Sequence, residues 1–306
     1  MKIGIVDLDT SHPQNWIPII RDLGHEVAGV WDGGSVHPAS YVAQFAKDHE
    51  IPEVCASLDE LVAGVDAGII HACDWDTHVE KARPFVNAGK GVLIDKPMAG
   101  NVRDLDQLQV WADEGATITG GSSLRFCVET EAWMAQPTEE RGTPNTVVCG
   151  CGVDEFNYGS HGYSMLAGIL GTGASTVRHL GKGVQRRIQI GWEDGRLGIL
   201  VVGQATSYLP FYAQITTERG VSHIRAENGT LYRALLEKTL PYLSGQADPP
   251  LPFRVLQEAE RWAIAALTSW QNGDVEIQLD NMDAEIPGYD GAAFAEEYRR
   301  AKYPDA

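Results

Sequence analysis

Lys96 is the residue in this chain whose surroundings most plainly prepare it for chemistry. It stands in the run Gly89-Lys90-Gly91-Val92-Leu93-Ile94-Asp95-Lys96-Pro97. Gly89 reads as a helix C-cap, because glycine enters the left-handed conformation without steric cost. Val92-Leu93-Ile94 reads as a short buried strand. Pro97 cannot donate to a sheet ladder and keeps Lys96 out of the helical region. The lysine is therefore held extended just past the end of a buried strand. In an open α/β sheet, that edge is where ligands bind.

Parallel strands of one sheet end on the same edge, so the loops Asp7–His12, Cys73–Thr77 and Asp95–Pro97 are expected to converge there. Asp32 ends the second strand on that edge, about 25 residues after the first strand, near the spacing at which an acid meets a ribose diol. Asp32-Gly33-Gly34 is equally well a turn. No arginine follows Asp32, so a bound dinucleotide would be NAD rather than NADP. Trp75 could stack on a nicotinamide or a sugar face, or close over the pocket as a lid. Asp7, Asp9, His12, Asp74, Asp76 and His78 together offer enough oxygen and nitrogen for a metal. Capping and helix dipoles explain such acids without one. No spacing motif supports a metal, and none is assigned.

The elements that must position these residues follow from pattern. Strands are expected at Lys2–Val6, Glu26–Trp31, Ala67–Ala72, Val92–Ile94 and Thr117–Gly120. Helices between them start near Pro13, Pro38, Ser57, Thr77 and Asn101, with capping boxes at Ser57/Glu60 and Thr77/Glu80. This alternation implies a parallel, doubly wound sheet with right-handed crossovers. After Phe126 the rhythm changes. Strand-like runs at 147–153, 187–192, 197–204 and 211–217 are joined in part by the hairpin signal Asp194-Gly195. Helices are expected at 158–170, 230–243 and 253–271. The second part therefore reads as α+β with a mostly antiparallel open sheet, the division falling at 1–123 and 124–306. The tail after Asp280 is expected to wrap the surface.

The chain has 306 residues, 43% hydrophobic, with a formal net charge of −18. Acidity of this degree argues against nucleic acid and anionic membranes as partners. No apolar run is long enough to cross a membrane as a helix. The apolar stretch at the N-terminus is too short for a secretory segment. The five cysteines form no C-x-x-C pair, so a cytoplasmic, reducing location is expected.

The stretch His78-x-x-Lys81-Ala82-x-x-Phe85-x-x-Ala88-Gly89-Lys90-x-Val92-x-Ile94-Asp95-Lys96-Pro97, followed by Gly121-Ser122-Ser123-Leu124-Arg125-Phe126, resembles the glucose–fructose oxidoreductase and inositol dehydrogenase (Gfo/Idh/MocA) family. That family's Glu-Lys-Pro triplet is here Asp-Lys-Pro. The resemblance implies a Rossmann domain, a second domain for substrate binding and oligomerisation, and NAD(P)-dependent oxidation or reduction of a polyol- or sugar-like substrate. A homodimer or homotetramer is implied as well. Lys96 falls on the family's catalytic lysine, whose charge would stabilise a developing alkoxide. His161, in Tyr158-Gly159-Ser160-His161, falls on its catalytic histidine, suited to proton transfer. Arg125, Asn157, Tyr158 and Trp75 are the substrate-side candidates. Leu8, Asp9, Thr10, Ser11, His12, Asp32, Cys73, Asp74, Trp75, His78, Asp95 and Lys96 are the cofactor-side candidates.

The sequence departs from the pattern in two places. Asp7, Asp9 and His12 stand where dinucleotide loops carry three glycines. A carboxylate about 4 Å from a phosphate costs about 1 kcal/mol in water and about 4 kcal/mol at an effective dielectric of 20. Two of them could cancel what a helix N-terminus contributes, although the Thr10 and Ser11 hydroxyls could still donate to phosphate. Before His161, Asn157 replaces the family's usual aspartate. These departures keep a second function open: a lyase, isomerase or epimerase working by acid–base chemistry, or a binding protein, on the same fold.

Overall fold

The computed structural model describes residues 1–205, 207 and 209–304; positions 206, 208, 305 and 306, all within the expected second part, lie outside the described residues. Six runs form one sheet: β1 (Lys2–Val6), β2 (Glu26–Trp31), β3 (Glu53–Val54), β4 (Ala67–Ile70), β5 (Gly91–Asp95) and β6 (Ile118–Gly121). Their order is β3-β2-β1-β4-β5-β6, and every neighbouring pair is parallel. The crossovers are α1 (His12–Asp22), α2 (Ala39–Asp48), α3 (Leu58–Gly64), α4 (His78–Asn87) and α5 (Val102–Asp113). Helices on both faces explain why β4 and β5 are buried along their whole length. The winding direction reverses between β1 and β4, so the loops after these two strands flank the crevice where such sheets bind ligands. This is the doubly wound arrangement expected from the sequence.

Local chemistry sets the helix starts. Ser57 Oγ accepts from Glu60 N at 3.1 Å, and Asn101 Oδ1 accepts from Asp104 N at 2.8 Å. The expected box at Thr77 and Glu80 does not form. Asp74 caps the short turn Trp75–Thr77, and Thr77 Oγ1 donates back to Asp74 O at 2.7 Å, leaving no hydroxyl for α4.

The second part contains α6 (Val128–Met134), α7 (Thr138–Arg141), β7 (Thr146–Cys151), α8 (Gly159–Leu170), β8 (Thr176–Lys182), β9 (Arg186–Gly191), β10 (Leu197–Val202), β11 (Tyr212–Thr217), β12 (Gly220–Arg225), α9 (Asn228–Leu243), α10 (Phe253–Leu256), α11 (Glu258–Gln271), β13 (Ile277–Gln278) and α12 (Gly291–Lys302). Its sheet runs β12-β11-β7-β10-β9-β8-β13, antiparallel except for the β7–β10 pair. Strands β8, β12 and β13 extend it beyond expectation, and the expected helix over 253–271 divides at Gln257. The tail after Asp280 does not simply wrap the surface: it ends in α12, whose Phe294, Ala295 and Tyr298 face Val36 and Cys73 at the ligand edge of the first sheet. Helix α9 also crosses back, placing Leu235, Leu236, Leu240 and Leu243 in the core beneath the first sheet.

Candidate active site

The carboxyl end of β5 brings Asp95 and Lys96 to the sheet edge, with the Lys96–Pro97 peptide cis. Asp95 serves the protein rather than a ligand. Its Oδ1 accepts from Lys96 N at 2.8 Å; its Oδ2 lies 2.5 Å from His12 Nδ1 and 3.0 Å from His71 Nδ1. Burial alone would raise this carboxyl, but the two imidazoles hold it well below the ordinary carboxylate range. Lys96 Nζ donates to Asn157 Oδ1 at 2.6 Å and to Asn157 O at 3.1 Å. Burial pulls this amine below its usual value, with Asp95 and Asp154 opposing. The aspartate expected before His161 is thus replaced by an amide that grips the lysine.

His161 sits in the first turn of α8. That helix packs close to β10 because Gly162 has no side chain; a Cβ there would lie 2.4 Å from Leu200 Cδ1. His161 Nδ1 meets Ser122 Oγ at 2.6 Å, and that same oxygen accepts from Leu124 N at 3.1 Å. Burial, and then the Lys96 charge, hold His161 well below the ordinary imidazole value. Tyr158 and Phe211 ring it edge-on. His12, by contrast, is part-exposed. It stacks on Trp16 at 5.7 Å and meets the edge of Tyr232 from α9 at 5.0 Å.

The phosphate end of the edge is built differently from the sequence expectation. Asp7 takes the left-handed conformation of a loop glycine, at φ 62°. It is held there by Gly33 N donating to Oδ1 at 2.8 Å and by Lys81 Nζ at 2.7 Å from Oδ2. Asp9 turns inward, accepts from Cys73 N at 2.9 Å, and so ties the loops after β1 and β4 together across the crevice. Burial and the neighbouring Asp7 push it up to about 7. Both Asp32 oxygens accept backbone N–H groups, from Leu8 at 2.9 Å and Gly34 at 2.7 Å, so the turn role is realised.

Several expected ligand contacts are structural instead. Trp75 is buried, donating to Tyr289 O at 3.0 Å and packed on Phe156 and Phe294, so it neither stacks on a ligand nor acts as a lid. Both His78 nitrogens face carbonyls, of Met98 and Ala72. Asp74 caps its own loop. Arg125 lies beside Gly168 and lines a cavity of about 250 Å³ that neither Lys96 nor His161 lines. Thr10 accepts from His12 N, and Ser11 is exposed at the start of α1 with no capping bond of its own. The six acids and histidines weighed for a metal do not converge. Asp7 is engaged by Lys81, Asp9 by Cys73 and His78 by carbonyls.

A dinucleotide along this edge would need the walls formed by Leu8, Asp9, Val36, His37 and Cys73. These are buried; α12 packs on Val36 and Cys73, and its Lys302 Nζ donates to Asp9 O at 2.8 Å and lies beside His37. The open N-terminus of α1 with Thr10 and Ser11 suits a phosphate; the adenosine half of the groove does not admit a cofactor in this conformation. Sequence reasoning missed His71, Ser122 and Tyr232. His71 was findable, since it directly follows the apolar run of β4 on the same edge. Ser122 lies within the Gly121–Phe126 motif but its type alone does not assign it to His161, and nothing local marks Tyr232.

Comparisons with known proteins agree with the architecture. Residues 2–119 match the family model GFO_IDH_MocA, described as an oxidoreductase family with an NAD-binding Rossmann fold. A putative oxidoreductase, YceM, from Salmonella typhimurium is 29% identical over 128 residues, 41% of this chain and 40% of that protein. A 1,5-anhydro-D-fructose reductase from Ensifer adhaerens is 27% identical over 118 residues, 38% of this chain and 34% of that protein. The alignments thus span two fifths or less of these curated relatives. Similarity in structure extends further. A putative myo-inositol dehydrogenase from Sinorhizobium meliloti superposes with a TM-score of 0.78 at 16% identity, covering 91% of this chain and 99% of that one. A scyllo-inositol dehydrogenase from Lactobacillus casei, solved with NAD(H) and scyllo-inositol, gives 0.75 at 18% identity, covering 92% and 99%. These likenesses establish the fold across both sheets, and the sequence match to the Gfo/Idh/MocA family model is confined to the first sheet's part of the chain, residues 2–119.

Proposed function

We propose that the chain is an oxidoreductase acting on a CH–OH group of a polyol- or sugar-like small molecule, with NAD rather than NADP as its redox partner. The observation that carries this reading is the gathering of one buried lysine and two imidazoles at the carboxyl end of β5. Lys96, oriented by Asn157, has a donor left for a substrate oxygen and stabilises negative charge on it. His12 is the proton acceptor. Asp95 fixes its Nδ1–H tautomer, leaves Nε2 for the substrate and stabilises the imidazolium that forms. His161 is a further histidine of the site, besides His12 and the buried His71, but burial and Lys96 disfavour its charged form, so it acts as a neutral hydrogen-bonding group oriented by Ser122. The Asp32 carboxylate, unaccompanied by arginine, favours NAD by repelling a 2′-phosphate. No further step is assigned to the cofactor, because the adenosine half of its groove is filled.

The covered groove favours, as a second reading, a lyase, isomerase or epimerase that uses the same three groups without a free dinucleotide. A homo-oligomer is also proposed, through the uncovered face of the second sheet, where Leu197, Ile199 and Val201 of β10 remain only half-buried. The functional test is NAD⁺ reduction by the purified chain across inositols, anhydro-sugars and related polyols. Turnover is expected on at least one. Lys96→Ala should lower it by about 10²-fold or more, and His12→Gln by about 10²–10⁴-fold. His161→Gln, which keeps a hydrogen-bonding side chain, should lower it less than His12→Gln does. A Lys96→Ala variant turning over at the wild-type rate would remove the lysine from the mechanism.

A further inference from the structure

We propose that α12 occupies the adenosine half of the dinucleotide groove in the resting chain, and that NAD(H) binds by displacing it. This rests on the oxidoreductase reading above. A groove awaiting a ligand exposes its walls. Here Leu8, Asp9, His37 and Cys73 are 1%, 0%, 4% and 4% exposed. Leu8 is buried in the core of the first sheet, whereas Cys73, His37 and the Asp9 carbonyl meet the last described helix and the residue after it. Phe294, Ala295 and Tyr298 make a small apolar cluster with Val36 and Cys73, and Phe294 joins it to the second sheet's core through Trp75.

The two ends of α12 are held differently. The near end is fixed by backbone. Tyr289 N donates to Gly100 O at 2.9 Å, and Gly291 N donates to Asp76 Oδ2 at 2.8 Å. Gly288 approaches so closely that a Cβ would lie 2.2 Å from Gly100 O. The far end is held by side chains alone. Lys302 Nζ donates to Asp9 O and lies 3.2 Å from His37 Nε2; the Tyr303 hydroxyl lies 2.7 Å from His37 Nδ1. Burial and the Lys302 charge keep His37 neutral at ordinary pH, at about 4.

Of the basic last turn of α12, Arg299 and Arg300 pair with Glu296 of the same helix, while Lys302 reaches the sheet edge at Asp9. Positive charge is favourable at a helix C-terminus and beside an acid. The phosphate end, at exposed Ser11, stays open, so a dinucleotide can land there before the helix swings about its fixed near end. Occupation by α12 and by adenosine is mutually exclusive. The apparent affinity for NAD(H) is therefore the intrinsic one multiplied by the fraction of chains in which the helix is lifted.

The experiment is NADH titration of the full chain by energy transfer from tryptophan, with hydrogen exchange over residues 291–302. It is run on wild type, Lys302→Ala and Ala295→Asp. The first variant removes the Lys302 contacts of the far end, leaving the Tyr303–His37 contact, and the second unseats the apolar cluster by an independent route. Both are expected to bind NADH about tenfold more tightly, and saturating NADH should speed exchange in 291–302 of wild type. Equal affinities with unchanged exchange would overturn the displacement while leaving the oxidoreductase reading intact. Weaker binding by Lys302→Ala would make the lysine a cofactor ligand and overturn it too. No binding by any form at millimolar NADH would overturn both readings.

Discussion

Lys81→Met should be the most destabilising single change near the cofactor edge. Lys81 Nζ and Asp7 Oδ2 are 2.7 Å apart, with side chains 9% and 0% exposed. At that distance and an effective dielectric of 20, their attraction is about 6 kcal/mol, most of it offset by the cost of removing both charges from water. Methionine preserves the stem but strands a buried carboxylate whose other oxygen is already used by Gly33 N. The expected loss is about 3–5 kcal/mol, the range for breaking a buried pair from one side. The double variant Asp7→Gly/Lys81→Met removes both charges. It also relieves the left-handed backbone at position 7, at which a non-glycine residue costs about 1–2 kcal/mol. It should regain most of the loss and restore the first glycine of a dinucleotide loop. Urea unfolding at pH 7, followed by tryptophan fluorescence, gives the three free energies. A Lys81→Met penalty under about 1 kcal/mol would refute the argument, because it would mean that Asp7 is satisfied without its cation.

Two further outcomes follow from buried polar groups and close backbone contacts. Burial pushes Glu260 up from 4.5 to about 7, so its cost is absent below about pH 4.5 and complete above about pH 7. Stability from this group therefore falls by about 3 kcal/mol as pH rises through that window. Glu260→Gln should flatten that slope in urea unfolding at several pH values, and an unchanged slope would acquit Glu260. Gly288→Ala should lower stability by about 1–3 kcal/mol and speed exchange in α12, because a Cβ there meets the Gly100 carbonyl; normal exchange would count against that contact as the anchor.

The parallel half was legible because its strands are short apolar runs ended by an acid, a glycine or a histidine, a pattern that burial on both faces imposes. Strand β12 was not, since it is largely exposed and carries no apolar run. The helix over 253–271 divides because Pro252 starts a single turn that Gln257 closes before α11 begins. Helix α12 was hidden by Pro287, Gly288 and Gly291. These residues punctuate the approach to a helix whose apolar side is only Phe294, Ala295 and Tyr298 wide. At the site, Lys96 could be placed from the strand end and Pro97, and His161 from the family resemblance. The role of His12 could not, because loop spacing suggests a phosphate ligand, whereas its partner Asp95 is 83 residues away. Asp9 could not be placed, and the two readings of Asp32 could not be separated, for a related reason. Their carboxylates take backbone N–H groups of other loops, and sequence spacing does not reveal which loops will be near.

The return of α9 to the first sheet bears on how the chain is made. Leu235, Leu236, Leu240 and Leu243 complete a core whose last strand ends at Gly121. On a ribosome adding about 5–20 residues per second, the intervening stretch of about 120 residues leaves one face of that sheet uncovered for on the order of 6–24 s. During that time an apolar surface meant for α9 is open to chaperones, or to a neighbouring nascent chain. The first 121 residues therefore look like a self-contained fold in sequence but depend on a helix not yet synthesised to finish their core.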